Sequence, residues 1–151
     1  MLRNVAEGDI PIFFEHQRDP EATRMALFPP RDRDAFTAHW QKILASDDVT
    51  KKTVLFEGAV AGNILIFDRD GKRLVGYWIG REFWGKGLAT KALAELITDV
   101  TERPLYAYVA TANVGSIRVL EKCGFTLSGH ETEFDERLGE KIEEALFVLK
   151  S

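Results

Sequence analysis

Three glycines and one lysine lie within the stretch GREFWGKG, residues 80–87, and their spacing is typical of a loop that binds an anion. Gly85 and Gly87 have no side chain to obstruct a ligand, and both can adopt the positive φ that a tight loop needs. The residues before the loop are strand-like and those after it are helix-like. Free backbone N–H groups and the positive end of a helix dipole would therefore point at the anion, and we predict a phosphate-binding turn.

Two nucleotide-binding loops match this stretch only in part. The dinucleotide fingerprint G-x-G-x-x-G accounts for Gly85 and Gly87, but Thr90 stands where its third glycine belongs. The triphosphate loop G-x-x-x-x-G-K-[S/T] accounts for Gly80, Gly85 and Lys86. Its last position is occupied by Gly87, so the hydroxyl that would hold Mg²⁺ is missing. This absence disfavours a nucleotide triphosphatase, which stays as a third candidate.

The elements that position the loop are predicted from periodicity and turn residues. Apolar residues at helical spacing after Gly87, ended by Pro104, predict a long helix that starts at the glycines. The other predicted elements are a strand at 2–5, a helix capped by Asp9 and reaching about Arg18, a helix from Asp32, strands at 53–57, 60–67 and 72–80, a strand at 105–110, a helix at 113–124, a strand at 125–129, a charged hairpin over 130–144 and a strand at 145–150. This order predicts one domain over residues 1–151, a mixed α/β sheet with helices on its faces.

Composition disfavours several classes of function. The 151 residues carry 20 basic and 24 acidic side chains, a net charge of −4, which argues against a nucleic-acid or anionic-membrane partner. The single cysteine, Cys123, permits no internal disulfide, and the three histidines lack metal-ligand spacing, so no metal is expected. The first residues, MLRNVAEGDIP, lack the apolar core that a signal peptide needs, and no apolar run approaches the length that spans a membrane. We expect a cytoplasmic protein, either a monomer or a homodimer.

Two separated motifs resemble the GNAT family of N-acetyltransferases. That family's loop reads Q/R-x-x-G-x-G/A, which Gly85 and Gly87 match while Glu82 replaces the Gln or Arg. Downstream, NVGSIRVLEKCGF over 113–125 is similar to the family's N-x-x-S-x-x-x-x-x-K-x-G-F signature. Both motifs, and the opening LRNVAEGDI, are most similar to the branch of ribosomal-protein N-terminal acetyltransferases of RimJ/RimL type.

The resemblance implies an acetyl-CoA site between two splayed strands, 73–80 and 105–110. Backbone groups on the first strand would be free to pair with the pantetheine arm, the loop N–H groups would hold the pyrophosphate, and the turn after the second strand would face the cofactor from the other side. The implied cofactor-binding residues are Tyr77, Trp78, Ile79, Gly85, Lys86, Gly87, Leu88, Ala89, Asn113 and Ser116. A backbone N–H near Ile79 would stabilise the developing oxyanion.

The resemblance also implies direct attack of an amine on the thioester, with a general acid and a general base. The tyrosine that serves as acid in many family members is replaced here by Leu120, so Ser116 is the predicted acid, as in the ribosomal-protein branch. Capping of a helix is the alternative role of Ser116. Tyr108 stands where some N-terminal acetyltransferases carry a glutamate base. The base stays open among ordered water and four side chains: His16, Glu131, Glu133 and Asp135.

The amine acceptor is the least determined part of the prediction. The segment 24–31 lies where the family's acceptor pocket is usually lined. Its apolar residues Met25, Leu27 and Phe28 suit either an apolar pocket lining or packing in the core. A small molecule, an amino acid or a peptide or protein N-terminus all remain open as acceptors. The predicted activity is acetyl transfer from acetyl-CoA to a primary amine, and a non-catalytic acyl-CoA-binding sensor or scaffold is the alternative.

Overall fold

The computed structural model describes residues 1–21, 23, 31–135 and 139–151, which form one seven-stranded sheet with helices packed on both faces. The elements in chain order are β1 (Leu2–Asn4), α1 (Ile10–Gln17), α2 (Arg33–Ala45), β2 (Thr50–Phe56), β3 (Ala59–Arg69), β4 (Lys72–Ile79), α3 (Leu88–Asp99), β5 (Leu105–Ala110), α4 (Val114–Lys122), β6 (Thr126–Asp135) and β7 (Glu140–Leu149). Short 3₁₀ turns precede α1 and follow β4. The predicted fold class, a mixed α/β sheet flanked by helices, is confirmed.

The sheet has the strand order β1-β2-β3-β4-β5-β7-β6, and its neighbours are antiparallel except for β4 and β5, which are parallel. On one side, β3 and β4 pair continuously from Gly62↔Ile79 to Arg69↔Lys72. On the other side, β4 and β5 share the single register pair Leu74↔Tyr106. The sheet is therefore continuous on both flanks and opens at its centre.

Two apolar cores hold the helices against the sheet. The larger one lies under α3 and α4, where Leu93 is 0% exposed and Leu120 is 1% exposed. The smaller one lies on the opposite face under α1 and α2, and its rings of Phe13 and Trp40 pack with centroids 4.9 Å apart. These cores fix the beginning of α3 and of α4 relative to the strands, and with them the loops that precede both helices.

The two predicted helix starts have different outcomes. α2 begins directly after Asp32 as predicted, and the Asp32 carboxylate caps it by accepting a hydrogen bond from the Ala35 N–H at 2.8 Å. Asp9 stands at the cap position of α1, but its backbone is already helical, with φ −78 and ψ −25, and its side chain makes no cap hydrogen bond to α1. Its carboxylate instead accepts hydrogen bonds from Arg3 and from Thr53. The prediction that Asp9 caps this helix is wrong in that respect.

The charged segment 130–144 forms a hairpin, as predicted, but its strands are longer than expected. β6 runs as far as Asp135 and β7 begins at Glu140, so most of the charged residues lie in strands. One face of β7 is covered even here, since Ile142 is only 9% exposed. Within the described ranges, no helix is both long enough and apolar enough to cross a membrane.

Candidate active site

The centre of the sheet opens because β4 and β5 separate beyond their single pair. β4 continues from Leu74 to Ile79, and β5 continues from Tyr106 to Ala110, with no further register pair between them. The other edge of β5 is fully occupied by β7. The edges of β4 and β5 that face this gap therefore offer backbone groups to an extended ligand, as an exposed sheet edge does.

Strand alternation decides which β4 residues face the gap. The carbonyl oxygen of Trp78 points to β3, where a Cβ added to Gly62 would collide with it. Because backbone groups alternate along a strand, those of Tyr77 and Ile79 point the other way, into the gap. The Ile79 carbonyl oxygen accepts a hydrogen bond from Trp84 Nε1 at 2.9 Å. The resemblance implied that backbone groups of Tyr77, Trp78 and Ile79 are free to pair with a ligand in the gap. In the structure only those of Tyr77 and Ile79 face it, while the Trp78 carbonyl faces β3.

The glycine loop leads directly into the N-terminus of α3. Gly85 and Gly87 both have positive φ, +79 and +72, and a Cβ at either position would meet nothing within 4 Å. The helix begins without a capping side chain, and the Lys91 N–H donates a hydrogen bond to the Gly87 carbonyl oxygen at 3.1 Å. The N–H groups of the three residues before Lys91 lie in the first turn and are directed out of the helix.

One cavity of about 350 Å³ joins the gap, the loop and the start of α4. Its volume lies in the range of small-molecule sites. The predicted cofactor-binding residues that line it are Tyr77, Trp78, Ile79, Gly85, Gly87, Leu88, Ala89, Asn113 and Ser116. Lys86 does not line it: its side chain is exposed and its Nζ lies 5.5 Å from the centroid of the Phe56 ring.

Ser116 lies in the first turn of α4, but it does not cap that helix. Asn113 is the cap, and its Oδ1 accepts a hydrogen bond from the Ser116 N–H at 3.2 Å. The Ser116 hydroxyl instead lies 2.7 Å from the hydroxyl of Tyr77, on β4 across the cavity. Burial raises the pKa of Tyr77 to about 12, although its hydrogen bond to Ser116 acts in the opposite direction.

The side chains considered as a base have different environments. His16, at the C-terminal end of α1, is 6% exposed and packs edge-on against Phe83, with ring centroids 6.3 Å apart. Burial lowers the pKa of His16, while Glu82 opposes this shift. Among the described residues, nothing hydrogen-bonds to its Nδ1. These features favour a neutral imidazole at neutral pH.

The three acidic candidates for the general base lie on the β6–β7 hairpin. Glu131 is exposed and accepts a hydrogen bond from the Tyr108 hydroxyl at 3.2 Å. Burial, followed by this hydrogen bond, raises the pKa of Tyr108. The side chains of Glu133 and Asp135 lie outside what the structure describes, as do Met25, Leu27 and Phe28 of the expected acceptor wall. In the described ranges, no cluster of three His, Cys, Asp or Glu residues could hold a metal ion.

Five lining residues were not predicted: Phe83, Trp84, Thr90, Gly115 and Val119. Phe83 and Trp84 stand inside the glycine stretch, so two aromatic residues next to the loop were an available signal. Val119 follows Ser116 by three positions and shares its helix face, which helical spacing alone could have indicated. Thr90 was considered only as a failed glycine match, although its place in the first turn of α3 brings it to the cavity.

Comparison with known proteins places the chain in a family. The family model described as "Acetyltransferase (GNAT) domain" matches residues 1–126. The Bacillus licheniformis protein named "Uncharacterized N-acetyltransferase p20" is 27% identical over 98% of this chain and 90% of its own length. YdaF of Bacillus subtilis (strain 168), whose name describes a candidate ribosomal N-acetyltransferase, is 31% identical over 64% of this chain and 57% of its own length.

A solved structure has the same fold over nearly the whole chain. Spermidine N-acetyltransferase from Vibrio cholerae, in complex with CoA and spermine, superposes with a TM-score of 0.84 and 17% identity, covering 99% of this chain and 94% of that one. The resemblance inferred from the glycine loop and from residues 113–125 is confirmed by the family match. The chain belongs to the acetyltransferase (GNAT) family and is an acetyl-CoA-dependent N-acetyltransferase.

Proposed function

We propose that the β4–β5 gap and the N-terminus of α3 bind acetyl-CoA and present its thioester to a neutral primary amine, which attacks directly. The observation that carries this proposal is that one cavity combines an unpaired strand edge, a glycine loop at a helix N-terminus and a pair of hydroxyl groups. The catalytic unit is the whole chain, 1–151, because strands from both halves of the sheet border the gap. A cytoplasmic location, and a monomer or a homodimer, stay predictions.

The loop would hold the pyrophosphate of the cofactor. Gly85 and Gly87 leave space beside the backbone, and the first turn of α3 directs N–H groups and the positive end of its dipole at the same place. The backbone N–H groups of Lys86, Leu88 and Ala89 would complete this cradle. Phosphate would therefore be bound mainly by backbone groups, with little contribution from the exposed lysine side chain.

The pantetheine arm would lie as an extra strand beside β4. The backbone of Tyr77 and Ile79 faces the gap and supplies the hydrogen bonds. The Ile79 carbonyl oxygen already accepts a hydrogen bond from Trp84 Nε1. The Ile79 N–H is therefore the group that we assign as hydrogen-bond donor to the thioester oxygen. A donor fixed in this position stabilises the negative charge that develops when the amine attacks. On the opposite side, Asn113 retains its amide NH₂ group for the cofactor, since its oxygen already caps α4.

Ser116 is the proposed general acid, which protonates the sulfur as the C–S bond breaks. Its side chain lines the cavity, and Asn113 already serves as the cap of α4, so the hydroxyl is available for another role. Leu120, where a tyrosine acid is common in the family, is 1% exposed and belongs to the core. We assign no side chain as the base; His16 and Glu131 are its two candidates among the described side chains.

Substitution of Ser116 by alanine tests the assignment of the acid. A group that acts only while the C–S bond breaks contributes to turnover and little to binding. We expect Ser116→Ala to lower kcat by about tenfold or more while the Kd of acetyl-CoA stays within about twofold. Steady-state kinetics and calorimetric titration measure the two quantities. An unchanged kcat would remove Ser116 as the acid.

A non-catalytic acyl-CoA-binding module is the second candidate, favoured by the buried Leu120 in place of the tyrosine. Release of the CoA thiol from acetyl-CoA separates the two functions. Spermine and a short peptide with a free N-terminal amine serve as acceptors, and the same peptide with a blocked N-terminus serves as the control. The proposal predicts thiol release that depends on the free amine. Tight binding of acetyl-CoA without thiol release, with these and a wider panel of amines, would favour the binding module.

A further inference from the structure

We propose that Tyr77 acts through Ser116, as a positioning residue that directs the serine hydroxyl at the sulfur and then resupplies its proton. This inference rests on the proposed function, since it concerns departure of the CoA thiol from the same cavity. It gives the Tyr77 side chain a chemical role, whereas the sequence assigned only the Tyr77 backbone to cofactor binding.

The geometry places the two hydroxyl groups in direct contact. Tyr77 Oη lies 2.7 Å from Ser116 Oγ, a short O–H···O distance, and 3.3 Å from the Ser116 carbonyl oxygen. The residues are 39 positions apart, so the contact depends on the packing of α4 against β4. Both side chains line the cavity. A buried tyrosine hydroxyl needs a hydrogen-bond partner in any case, so the observation that points to chemistry is that this partner is a cavity-lining serine.

Either hydroxyl can donate in the 2.7 Å contact, and we assign Tyr77 as the donor. When Tyr77 donates to Ser116 Oγ, the serine proton is released from this contact and can be directed at the sulfur. The Ser116 backbone is held at the same time, because its N–H donates to Asn113 Oδ1. The Ser116 hydroxyl is thus held by Tyr77, and the backbone that carries it is held by Asn113.

The proton balance of this step closes without a further reactant. As the C–S bond breaks, the Ser116 O–H bond breaks and an S–H bond forms, while the Tyr77 O–H bond breaks and the Ser116 O–H bond re-forms. The negative charge reaches Tyr77 only transiently: a phenolate is more stable than a serine alkoxide, but burial raises the pKa of Tyr77, so the phenolate takes up a proton again. The amine loses one proton when it becomes the amide, and that proton returns through solvent to Tyr77. The net products are the amide and the CoA thiol.

The test compares Tyr77→Phe, Ser116→Ala and the double variant, with Tyr106→Phe as the matched control on the neighbouring strand. Tyr106 does not line the cavity. We expect Tyr77→Phe and Ser116→Ala each to lower kcat by about tenfold to a hundredfold, and the double variant to be no slower than the slower single one. The Kd of acetyl-CoA and the unfolding temperature of Tyr77→Phe should stay close to those of the wild type. Tyr106→Phe should keep the wild-type kcat.

A proton inventory gives a readout that a structural role would not alter. In H₂O/D₂O mixtures, kcat of the wild type should show the curvature of two protons in motion, and Tyr77→Phe should show a linear dependence. The amine used is whichever of spermine or the peptide supports wild-type turnover. Wild-type turnover with an unchanged kcat or an unchanged inventory in Tyr77→Phe would overturn the role of Tyr77 alone. A wild type that releases no thiol with any amine would overturn this role and the proposed function together.

Discussion

The protein contains two partly or fully buried polar clusters whose hydrogen bonding differs in kind. Asp9, 4% exposed, accepts hydrogen bonds from Arg3 at 2.7 and 2.8 Å, from the Ala6 N–H at 2.9 Å and from Thr53 at 2.7 Å. Tyr77 and Ser116 hydrogen-bond to each other at 2.7 Å, and both line the cavity. The hydrogen-bonding groups of the first cluster are all paired with protein groups. In the second cluster, the hydroxyl groups face the cavity and can still form hydrogen bonds with a ligand. A saturated cluster contributes stability, and an open one is suited to chemistry.

The pKa shifts of the two clusters have different causes. Hydrogen bonds from Arg3 lower the pKa of Asp9 from 3.8 to about 2, against the effect of burial. Burial raises the pKa of Tyr77 to about 12, against the effect of Ser116. Asp9 is thus held as an anion, while Tyr77 is held as a neutral donor. Four substitutions or conditions separate the Asp9 cluster, which stabilises the fold, from the acetyl-CoA site that contains Tyr77 and Ser116, and they are given from the largest expected effect to the smallest.

Asp9→Ala should produce the largest loss of stability. It leaves Arg3 without its carboxylate and the hydroxyl of Thr53, which is 0% exposed, without its partner. We expect a loss of about 3 kcal/mol, or roughly 6–12 °C in Tm. Asp32→Ala, which removes an exposed helix cap, is the control and should cost only about 1 kcal/mol. Thermal and denaturant unfolding measure both. An Asp9 variant that keeps its stability but loses acetyl-CoA binding would reverse the roles of the two regions.

Gly87→Asp should nearly abolish acetyl-CoA binding while the fold is kept. The positive φ of +72 at this position is one that Asp and Asn tolerate best among residues with a side chain. An aspartate here would cap the N–H groups of α3 and place a negative charge beside phosphate. We expect the Kd to rise by about a hundredfold, and by about tenfold for the neutral control Gly87→Asn. Equal Kd values for the two variants would show that charge at this loop does not matter.

Acid should destabilise the Asp9 cluster in a defined pH window. Because the pKa of Asp9 is lowered in the folded state, its contribution is fully present above pH 3.8 and is lost as the pH falls towards about 2. The size of this contribution is about 2 kcal/mol. The free energy of unfolding, measured by urea titration from pH 5 to pH 2, should fall less steeply in Asp9→Asn than in the wild type. If the free energy of unfolding fell equally with pH in both proteins, the lowered pKa of Asp9 would be contradicted.

Lys86→Ala should have the smallest effect of the four. The lysine side chain is exposed and lies over the Phe56 ring, so only its backbone belongs to the proposed phosphate cradle. We expect the Kd of acetyl-CoA to change by less than about threefold at moderate salt, consistent with the low energy of an exposed charge. A loss of tenfold or more in a calorimetric titration would mean that the side chain leaves Phe56 and binds phosphate.

The sequence was informative where one local pattern determines one local structure. The positive φ at Gly85 and Gly87, the start of α3 after them and the start of α2 at Asp32 all follow from short motifs. The splay of β4 from β5 was implied by the family resemblance, since a parallel pair with one register contact has no local sequence pattern.

The sequence was less informative where residues distant along the chain meet. Asp9 resembles a helix cap, and its contact with Thr53, 44 positions away, depends on how β1 and α1 approach β2. The contact of Tyr77 with Ser116 likewise requires α4 to lie against β4. The backbone of Trp78 was expected in the gap, but strand register, which a single strand does not reveal, turns its carbonyl towards β3.

Calorimetric titration of the wild-type protein with acetyl-CoA, and separately with ATP and Mg²⁺, tests the central claim most directly. If the gap between β4 and β5 and the loop of Gly85 and Gly87 form an acetyl-CoA site, acetyl-CoA should bind with a micromolar Kd, on the order of −8 kcal/mol, and ATP with Mg²⁺ should bind far more weakly. Tight binding of ATP with Mg²⁺ and no binding of acetyl-CoA would contradict the account and make the glycine stretch a triphosphate loop.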